Sequence, residues 1–273
     1  MSAEQAVARG RSVLFKPHLN GRSVRLAQRM RLAALYDIHG NLPALDAVLK
    51  EVASTGVERI VVGGDVVPGP MPRETLDRLR SLAIPVEFII GNGELAVLAE
   101  ADGKDSGVPA QYRESIRWSA AQLQPADQHW LAKWPLTLRM RIDDLGDVLF
   151  CHAAPNNPHA TFTRVTPEPA MMSLIGELRA DLMVCGHTHM QYDRHVRALR
   201  IVNSGSVGMP FGRPGAFWVL LGREVELRRT SYDLEKAASK IRLSGYPGAD
   251  HFADHNVLQP PSEEIMLKTF AQS

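Results

Sequence analysis

Short apolar runs alternate with helical patterns over the first third of the chain. Residues 32–41 begin with an apolar run that ends at Gly and Asn, which predicts a buried strand leading into a polar loop. Residues 59–63 and 86–90 predict two further strands, and apolar positions at helical spacing predict helices over 43–53 and 72–82. Such βαβαβ alternation is typical of a parallel sheet whose functional edge lies at the C-terminal ends of its strands.

The pattern changes after residue 94. Residues 95–136 are rich in helix formers, and we interpret them as a helical cap beside the strand ends, with helices over 115–123 and 126–133. The predicted elements that follow are strands over 137–142, 147–151, 182–185, 192–196, 199–202, 216–221 and 225–229, and helices over 168–179 and 233–243. This order predicts an α/β domain over 31–245 with two stacked sheets and helices outside, followed by an irregular, Pro-containing tail over 246–273.

Composition is that of an ordinary globular chain, since 45% of the 273 residues are hydrophobic and 22% are charged. No apolar run reaches the roughly 18 residues of a membrane span, so we expect a soluble protein without a membrane segment. The net charge of +1 does not favour a nucleic-acid partner. Cys151 and Cys185 end apolar runs, and we expect them to be buried free thiols in a reducing cytoplasm.

The first 30 residues differ from the rest in charge. Their basic residues are Arg9, Arg11, Lys16, Arg22, Arg25 and Arg29, and their single acid is Glu4. We interpret this segment as a flexible basic extension, or as residues upstream of a start at Met30. A third interpretation is an organelle transit peptide, which an Arg-rich, acid-poor start resembles.

Polar side chains recur just past the predicted strand ends. Seven residues do so: Asp37, His39, Asp65, Asn92, His152, His187 and His189. Alternate positions at the end of a strand point the same way, so Asp37 and His39 are aimed at one point. Imidazole nitrogens with carboxylate and amide oxygens, and no thiolate, suit Mn²⁺, Fe or Zn²⁺. Seven ligands exceed the need of one four-coordinate ion and suit two, which a carboxylate such as Asp65 can bridge.

Together these motifs resemble the signature of the calcineurin-like metallophosphoesterases. The series consists of Asp37-x-His39, Gly64-Asp65, Gly91-Asn92-x-Glu94, His152 and Gly186-His187-x-His189. The runs 37–45 and 203–208 are most similar to the bacterial branch often labelled YfcE-like or serine/threonine-phosphatase-like. The resemblance implies a four-layer αββα sandwich, in which two mixed β-sheets are flanked by helices.

The resemblance also implies a set of metal ligands and a reaction. The ligands to one ion would be Asp37, His39 and His189, those to the other would be Asn92, His152 and His187, and the bridge would be Asp65. The two ions would be divalent or trivalent Mn, Fe or Zn. The reaction would be hydrolysis of a small phosphodiester or phosphomonoester by in-line attack of a metal-bridging hydroxide. Its catalytic residues would be Asn92, Asp65 and His152.

One position departs from the family pattern. Many members have His directly after the Asn of the third motif, where it helps to protonate the leaving group, but this chain has Gly93. General-acid catalysis contributes about 10²–10⁴ in rate, and least for good leaving groups, so Gly93 favours phosphodiesters or activated esters. His159 or His195 could replace that His from a nearby loop, but the spacing does not support either. We expect Glu94 to orient a ligand or to open the next helix.

Several other residues are candidates for substrate contact. In the cap they are Tyr112, Arg113, Trp118 and His129, although such aromatic residues more often belong to the core. Arg213 is a candidate phosphate contact. The small residues of 203–208 predict a tight turn. The turn can also bring backbone close to the strand ends that carry the seven candidate ligands, which we call the metal edge.

Two functions of different classes fit these observations. The first is a metal-dependent phosphoesterase, which the presence of all seven candidate ligands favours. The second is a non-catalytic scaffold or protein-interaction module on the same fold, as in the retromer subunit that resembles this family. A nuclease would need a basic groove, and outside the first 30 residues the charge is balanced. The oligomeric state stays open.

Overall fold

A computed structural model describes residues 30–271, in which two five-stranded sheets lie face to face between helices. The strands are β1 (Leu32–Leu35), β2 (Arg59–Val62), β3 (Val86–Phe88), β4 (Thr137–Ile142), β5 (Gly146–Cys151), β6 (Leu182–Cys185), β7 (Tyr192–Val196), β8 (Leu199–Asn203), β9 (Ala216–Leu221) and β10 (Val225–Thr230). The helices are α1 (Leu42–Ser54), α2 (Pro72–Arg80), α3 (Asn92–Ala101), α4 (Ala110–Gln122), α5 (Pro125–Leu131), α6 (Glu168–Ile175), α7 (Leu234–Arg242), α8 (Ala249–Phe252), a π-helical turn (Ala253–Leu258) and α9 (Glu263–Phe270). The predicted αββα sandwich is confirmed.

Both sheets are mixed. The first has the strand order β10-β9-β1-β2-β3, with β1, β2 and β3 parallel and β9 antiparallel to β1. The second has the order β4-β5-β6-β8-β7, with β5, β6 and β8 parallel and antiparallel strands at both edges. The parallel strands at the centre of each sheet therefore end at the same edge of that sheet.

Strand β1 shows how the layers form. Leu32 and Ala34 face the second sheet in a core shared with Phe150, whereas Ala33 and Leu35 face the helices. Successive side chains of a strand point to opposite faces, and here both faces are covered. The strand is consequently apolar throughout, and all four of its residues are fully buried.

Helix α1 begins at a defined cap and buries one face. The Asn41 side chain accepts the N–H of Ala44 (3.2 Å), and Pro43 occupies the first turn, where its missing N–H has no helical partner to lose. Leu45 and Val48, three positions apart, are fully buried on the first sheet. Burial of each such side chain stabilises the fold by about 1.5–3 kcal/mol.

Residues 95–136, predicted as a cap, lie in the helical layer that covers the first sheet. Ile116 of α4 and Leu131 of α5 belong to the same core as β1 and β2. Helix α4 also borders the metal edge, because the Ser119 hydroxyl accepts the N–H of Gly69 (3.3 Å) in the loop after β2. The segment therefore completes the outer layer and reaches the strand ends from one side.

The C-terminal segment is helical, so the prediction of an irregular tail is wrong. Phe252 and Val257 pack against Ala237 and Ile241 of α7, which supply the apolar partners that the local pattern does not show. Helix α9 begins at Ser262, whose hydroxyl accepts a backbone N–H of the first turn. No helix between residues 30 and 271 is long and apolar enough to cross a bilayer. The predicted basic extension lies outside the described residues, except for Met30.

Candidate metal centre

The seven predicted ligands lie where parallel strands of both sheets end. They follow β1 (Asp37 and His39), β2 (Asp65), β3 (Asn92), β5 (His152) and β6 (His187 and His189). Most of the cluster is buried, since Asp37 is fully buried and His39 and His189 are each 8% exposed, whereas Asn92 and His187 are half-buried. The structure thus brings together side chains that are up to about 150 residues apart in the chain.

Asp37, His39 and His189 form a first group of potential ligands. The Nε2 atoms of His39 and His189 are 3.2 Å apart, and His189 Nε2 lies 3.3 Å from Asp37 Oδ1. Each ring is held from behind, because His39 Nδ1 donates to the Pro68 carbonyl (3.1 Å) and His189 Nδ1 donates to that of Met209 (2.7 Å). With Nδ1 carrying the proton, both Nε2 atoms present lone pairs to the centre.

A second group of potential ligands consists of Asp37, which also belongs to the first, with Asp65 and His152. Asp65 lies between His39 of the first group and His152 of the second. Asp65 Oδ2 is 3.9 Å from His39 Nε2, and Asp65 Oδ1 is 3.6 Å from His152 Nε2. The same nitrogen of His152 lies 2.9 Å from Asn92 Oδ1. Two oxygens of one carboxylate that face two groups are the arrangement expected of a bridging ligand.

The donor set fits a cation. Asp37 Oδ1 is buried and has no hydrogen-bond partner within residues 30–271, although Nε2 atoms of His39, His152 and His189 lie 3.3–3.9 Å away. Its other oxygen, Oδ2, accepts the backbone N–H of His187 (2.8 Å). A buried carboxylate oxygen without a donor is costly, and a cation held among the imidazoles removes that cost. The mixture of imidazole and carboxylate suits Mn, Fe or Zn.

The charges of the centre shift its pKa values. Burial alone would raise the pKa of Asp37, but the surrounding imidazoles, His189 first, hold that pKa well below its usual range. Burial and the neighbouring His152 lower the pKa of His187 to about 4. Burial lowers the pKa of His152, but the negative charges of Asp65 and Asp37 outweigh this effect and raise that pKa above its ordinary value. His187 is therefore neutral near pH 7, which is the form that binds a metal.

Backbone strain is concentrated at the candidate ligands. Of the six non-glycine residues with positive φ between residues 30 and 271, five are candidate ligands: Asp37 (53°), His39 (48°), Asp65 (53°), His187 (66°) and His189 (55°). This conformation costs about 1–3 kcal/mol per residue, and Asp and His tolerate it better than most. It persists because the loops are cross-linked, for example by the hydrogen bond from the His39 N–H to the Asp65 carbonyl (2.9 Å).

Glu94 supports the loop after β2. It is fully buried, and its carboxylate accepts the N–H groups of Asp65 (2.7 Å), Val66 (2.6 Å), Val67 (3.2 Å) and Gly91 (2.9 Å). It thus orients a candidate ligand and also opens α3, as expected from its place in the motif. Burial, with the charge of Asp65 as second cause, raises the pKa of Glu94 to about 7.

Residues 203–208 brace the loop after β1. The Ser206 hydroxyl and the Gly208 N–H both donate to the Asp37 carbonyl, at 2.7 and 3.0 Å. Asn203 donates to the carbonyl of Gly186, directly before His187 (2.6 Å). The run is both a tight turn and a close neighbour of the metal edge. The sequence singled out the run 203–208 as small residues after an apolar strand, but it did not predict the individual roles of Ser206 and Asn203.

The remaining candidates make other contacts or are exposed. Trp118 packs edge-on against Tyr246 (ring centroids 5.4 Å), and Arg113 pairs with Asp105 (3.4 Å). His195 lies near the far end of β7, which starts at the metal edge and runs away from it. Tyr112, His129, His159 and Arg213 are exposed. The structure therefore does not bring His195 to the centre.

Known proteins resemble this chain in sequence and in fold. The sequence profile of the Calcineurin-like phosphoesterase superfamily domain matches residues 30–223. An uncharacterized protein of Methanocaldococcus jannaschii is 28% identical over 242 residues, which are 79% of this chain and 93% of that protein. A hypothetical protein of Pyrococcus horikoshii has the same fold, with a TM-score of 0.72 at 18% identity over 85% of this chain and 100% of that one. A metallophosphoesterase of Sphaerobacter thermophilus gives a TM-score of 0.63 at 26% identity, over 84% of this chain and 100% of that one.

Proposed function

Because the chain belongs to the calcineurin-like phosphoesterase superfamily, we propose that it is a two-metal enzyme that hydrolyses a small phosphodiester or phosphomonoester. The observation that carries this proposal is the position of Asp65. One of its carboxylate oxygens lies 3.9 Å from His39 Nε2 and the other lies 3.6 Å from His152 Nε2, so the two oxygens face different buried imidazoles. Asp65 Oδ1 also accepts the backbone N–H of Gly93 (2.6 Å), which helps to hold the carboxylate in this position.

The proposed ligand sets divide the cluster in two. Asp37, His39 and His189 would hold one ion, Asn92, His152 and His187 would hold the other, and Asp65 would belong to both. When bound, such a pair supplies positive charge to the phosphoryl oxygens and lowers the pKa of water at the site. The ligand identities suit Mn, Fe or Zn.

Asn92 and His152 are the proposed residues nearest to the reacting phosphorus. The Asn92 side chain presents its Oδ1 to His152, and its amide N–H groups are thereby directed to other acceptors, such as a phosphoryl oxygen. His152 Nδ1 donates to the Gly63 carbonyl (2.9 Å), so the ring cannot turn and its Nε2 stays directed to the centre. The chain thus contributes fixed geometry, which is the main requirement of phosphoryl transfer.

We propose residues 31–245 as the catalytic unit, with the C-terminal helices packed on it through Met71 and α7. We also propose a reducing cytoplasmic location, which the free and buried state of Cys151 and Cys185 supports.

The test is hydrolysis of bis(4-nitrophenyl) phosphate and 4-nitrophenyl phosphate by the full chain, stripped of metal and then supplied with Mn²⁺. The decisive variant is Asp65→Asn, and its control is Asp193→Asn, which makes the same change on β7, where Asp193 pairs with Arg200 of β8. We expect Mn²⁺-dependent turnover that Asp65→Asn abolishes and Asp193→Asn retains.

Metal content is measured beside activity. Two bound ions per chain, falling in Asp65→Asn, are the expected result. A wild-type chain that binds no metal and hydrolyses neither ester would overturn the enzyme proposal and favour the scaffold function. Turnover that survives Asp65→Asn would reject the shared-ligand arrangement.

A further inference from the structure

Pro68 closes the space beside Gly93, the position at which many family members carry a His. A Cβ atom built on Gly93 lies 2.4 Å from Pro68 Cγ and 2.8 Å from Asp65 Oδ1. Both distances are below 3.0 Å, and real Cβ atoms essentially never come that close to another heavy atom. The proline ring is rigid and cannot move aside as the end of a long side chain would. The position is therefore closed to any side chain, not merely empty of one.

Pro68 is itself held from both sides. Its carbonyl accepts the Nδ1–H of His39 (3.1 Å), and the N–H of the following Gly69 donates to the Ser119 hydroxyl (3.3 Å). Moving the ring would disturb a candidate ligand on one side and helix α4 on the other. The closure of position 93 is thus built into the loop after β2.

Three of the four histidines of the centre are held by backbone carbonyls, and the fourth, His187, is a proposed ligand of the second ion. His39, His152 and His189 each donate Nδ1–H to a backbone carbonyl and direct Nε2 to the metal groups. His195 lies at the far end of β7. His159 is exposed in the loop after β5, and its own backbone N–H donates to Asn157. His159 is therefore the alternative proton donor that an experiment has to exclude.

We infer, on the basis of the proposed function, that the leaving group departs without a proton from the enzyme and that phosphoric anhydrides are the preferred substrate class. The oxygen of water bonds to phosphorus, and the bond from phosphorus to the bridging oxygen breaks. The bridging oxygen keeps the electron pair and leaves as a phosphate oxyanion. The protons of the water pass to solvent and to the product phosphates.

The chemistry of the two leaving groups carries the preference. A phosphate group has a second pKa of about 6, so it is stable as an anion at neutral pH and can leave without being protonated by an acid. An alkoxide resembles hydroxide, whose conjugate acid water has a pKa of about 15.7, and it leaves readily only when protonated. A general acid typically contributes about 10²–10⁴ in rate, and an alkyl ester loses that factor here.

The kinetic test uses two matched comparisons on Mn²⁺-loaded wild-type protein. ADP and AMP share adenosine but offer an anhydride and an alkyl ester, and we expect kcat/KM for ADP to exceed that for AMP by at least about 10²-fold. Methyl 4-nitrophenyl phosphate and methyl phenyl phosphate differ only in the leaving phenol, and we expect a fall of about 10²–10⁴-fold from the first to the second.

A small difference in kcat/KM within each pair of substrates would overturn the inference while leaving the proposed function intact. The His159→Asn variant tests the alternative donor directly. If this variant selectively loses the phenyl ester and AMP, His159 supplies the proton and the inference is wrong. Absence of hydrolysis of all four compounds, without bound metal, would reject the proposed function and this inference together.

A measurement without metal tests the closure itself. Gly93→Ala should lower the melting temperature of the metal-free protein by at least about 4 °C, because the new methyl group overlaps Pro68. Adding Pro68→Ala should recover part of the loss. Gly222→Ala is the control, since its nearest contact is 3.6 Å away. A Gly93→Ala protein as stable as wild type would show that position 93 has room for a side chain.

Discussion

The buried carboxylate of Glu94 accepts a hydrogen bond of 2.7 Å from the backbone N–H of Asp65, the residue that stands between the two ligand groups. Glu94→Gln places an amide N–H₂ group against backbone N–H groups that now donate hydrogen bonds to the carboxylate. Some of the hydrogen bonds that hold Asp65 in place are therefore lost. We expect the affinity for Mn²⁺ and kcat/KM to fall about 10–100-fold, as measured by calorimetry and by ester hydrolysis.

Glu114→Gln is the matched control for this variant, because Glu114 is exposed on α4. It should leave both quantities unchanged. A Glu94→Gln protein with wild-type Mn²⁺ affinity would mean that Asp65 keeps its position without the carboxylate.

Metal binding should stabilise the fold. Asp37 Oδ1 has no hydrogen-bond partner in residues 30–271, and the Nε2 atoms of His39 and His189 face each other at 3.2 Å, so a cation relieves several unfavourable contacts. At 100 times its dissociation constant, Mn²⁺ should add about 2.7 kcal/mol to the free energy of unfolding, seen as a rise in melting temperature over the EDTA-treated protein. Asp37→Asn should reduce this rise. A melting temperature that does not respond to Mn²⁺ would argue against the metal centre.

The metal-free protein should lose stability in acid because of His187. Its pKa is lowered to about 4 in the fold, against an ordinary value of about 6.5, so between these values the unfolded chain binds more protons. Stability from this group is present above about pH 6.5 and is lost as the pH falls towards 4. It contributes a slope of up to about 1.4 kcal/mol per pH unit.

Urea unfolding of His187→Asn at pH 4–7, without metal, should show a shallower pH dependence than wild type. His195→Asn makes the same change at an exposed strand position and is the matched control. Equal slopes for wild type and His187→Asn would contradict the predicted effect of burial on His187.

The close approach of the Tyr36 ring to Gly63 should limit which side chains position 63 can carry. A Cβ on Gly63 lies 1.9 Å from the Tyr36 ring, which is fully buried and donates its hydroxyl to the Val184 carbonyl (2.9 Å). Gly63→Ala should therefore reduce the free energy of unfolding by about 1–3 kcal/mol or more. Gly222→Ala, where the nearest contact is 3.6 Å away, is the control. Equal urea midpoints for the two variants would refute the overlap.

Local pattern predicted the strands and the metal edge because each signal is short-range. The apolar run of β1 and the polar residues directly after it lie within a few positions, and chain order then places strand ends together. Helices α8 and α9 were not predicted, since the helical form of the former depends on Phe252 packing against α7. The steric closure of Gly93 by Pro68 was also beyond the sequence, because it joins the loop after β2 to the first turn of α3.

The support of the candidate ligands was only partly predictable. Glu94 was recognised from its place in the third motif, but its four backbone partners include residues after β2. Ser206 reaches Asp37 across 169 positions of sequence, and no local periodicity reports such a contact. The positive φ values at five ligands are likewise set by tertiary hydrogen bonds rather than by residue type alone.

The brace between Ser206 and Asp37 has a consequence for protein synthesis. A nascent chain that ends at residue 200 already contains all seven candidate ligands, but it lacks Ser206, Gly208 and strand β9, which hold β1 and the loop after it. Such a chain lacks both hydrogen bonds to the Asp37 carbonyl, from the Ser206 hydroxyl and the Gly208 N–H. We therefore expect the centre to acquire its metal only when most of the polypeptide has left the ribosome, so that unfinished chains do not sequester metal ions.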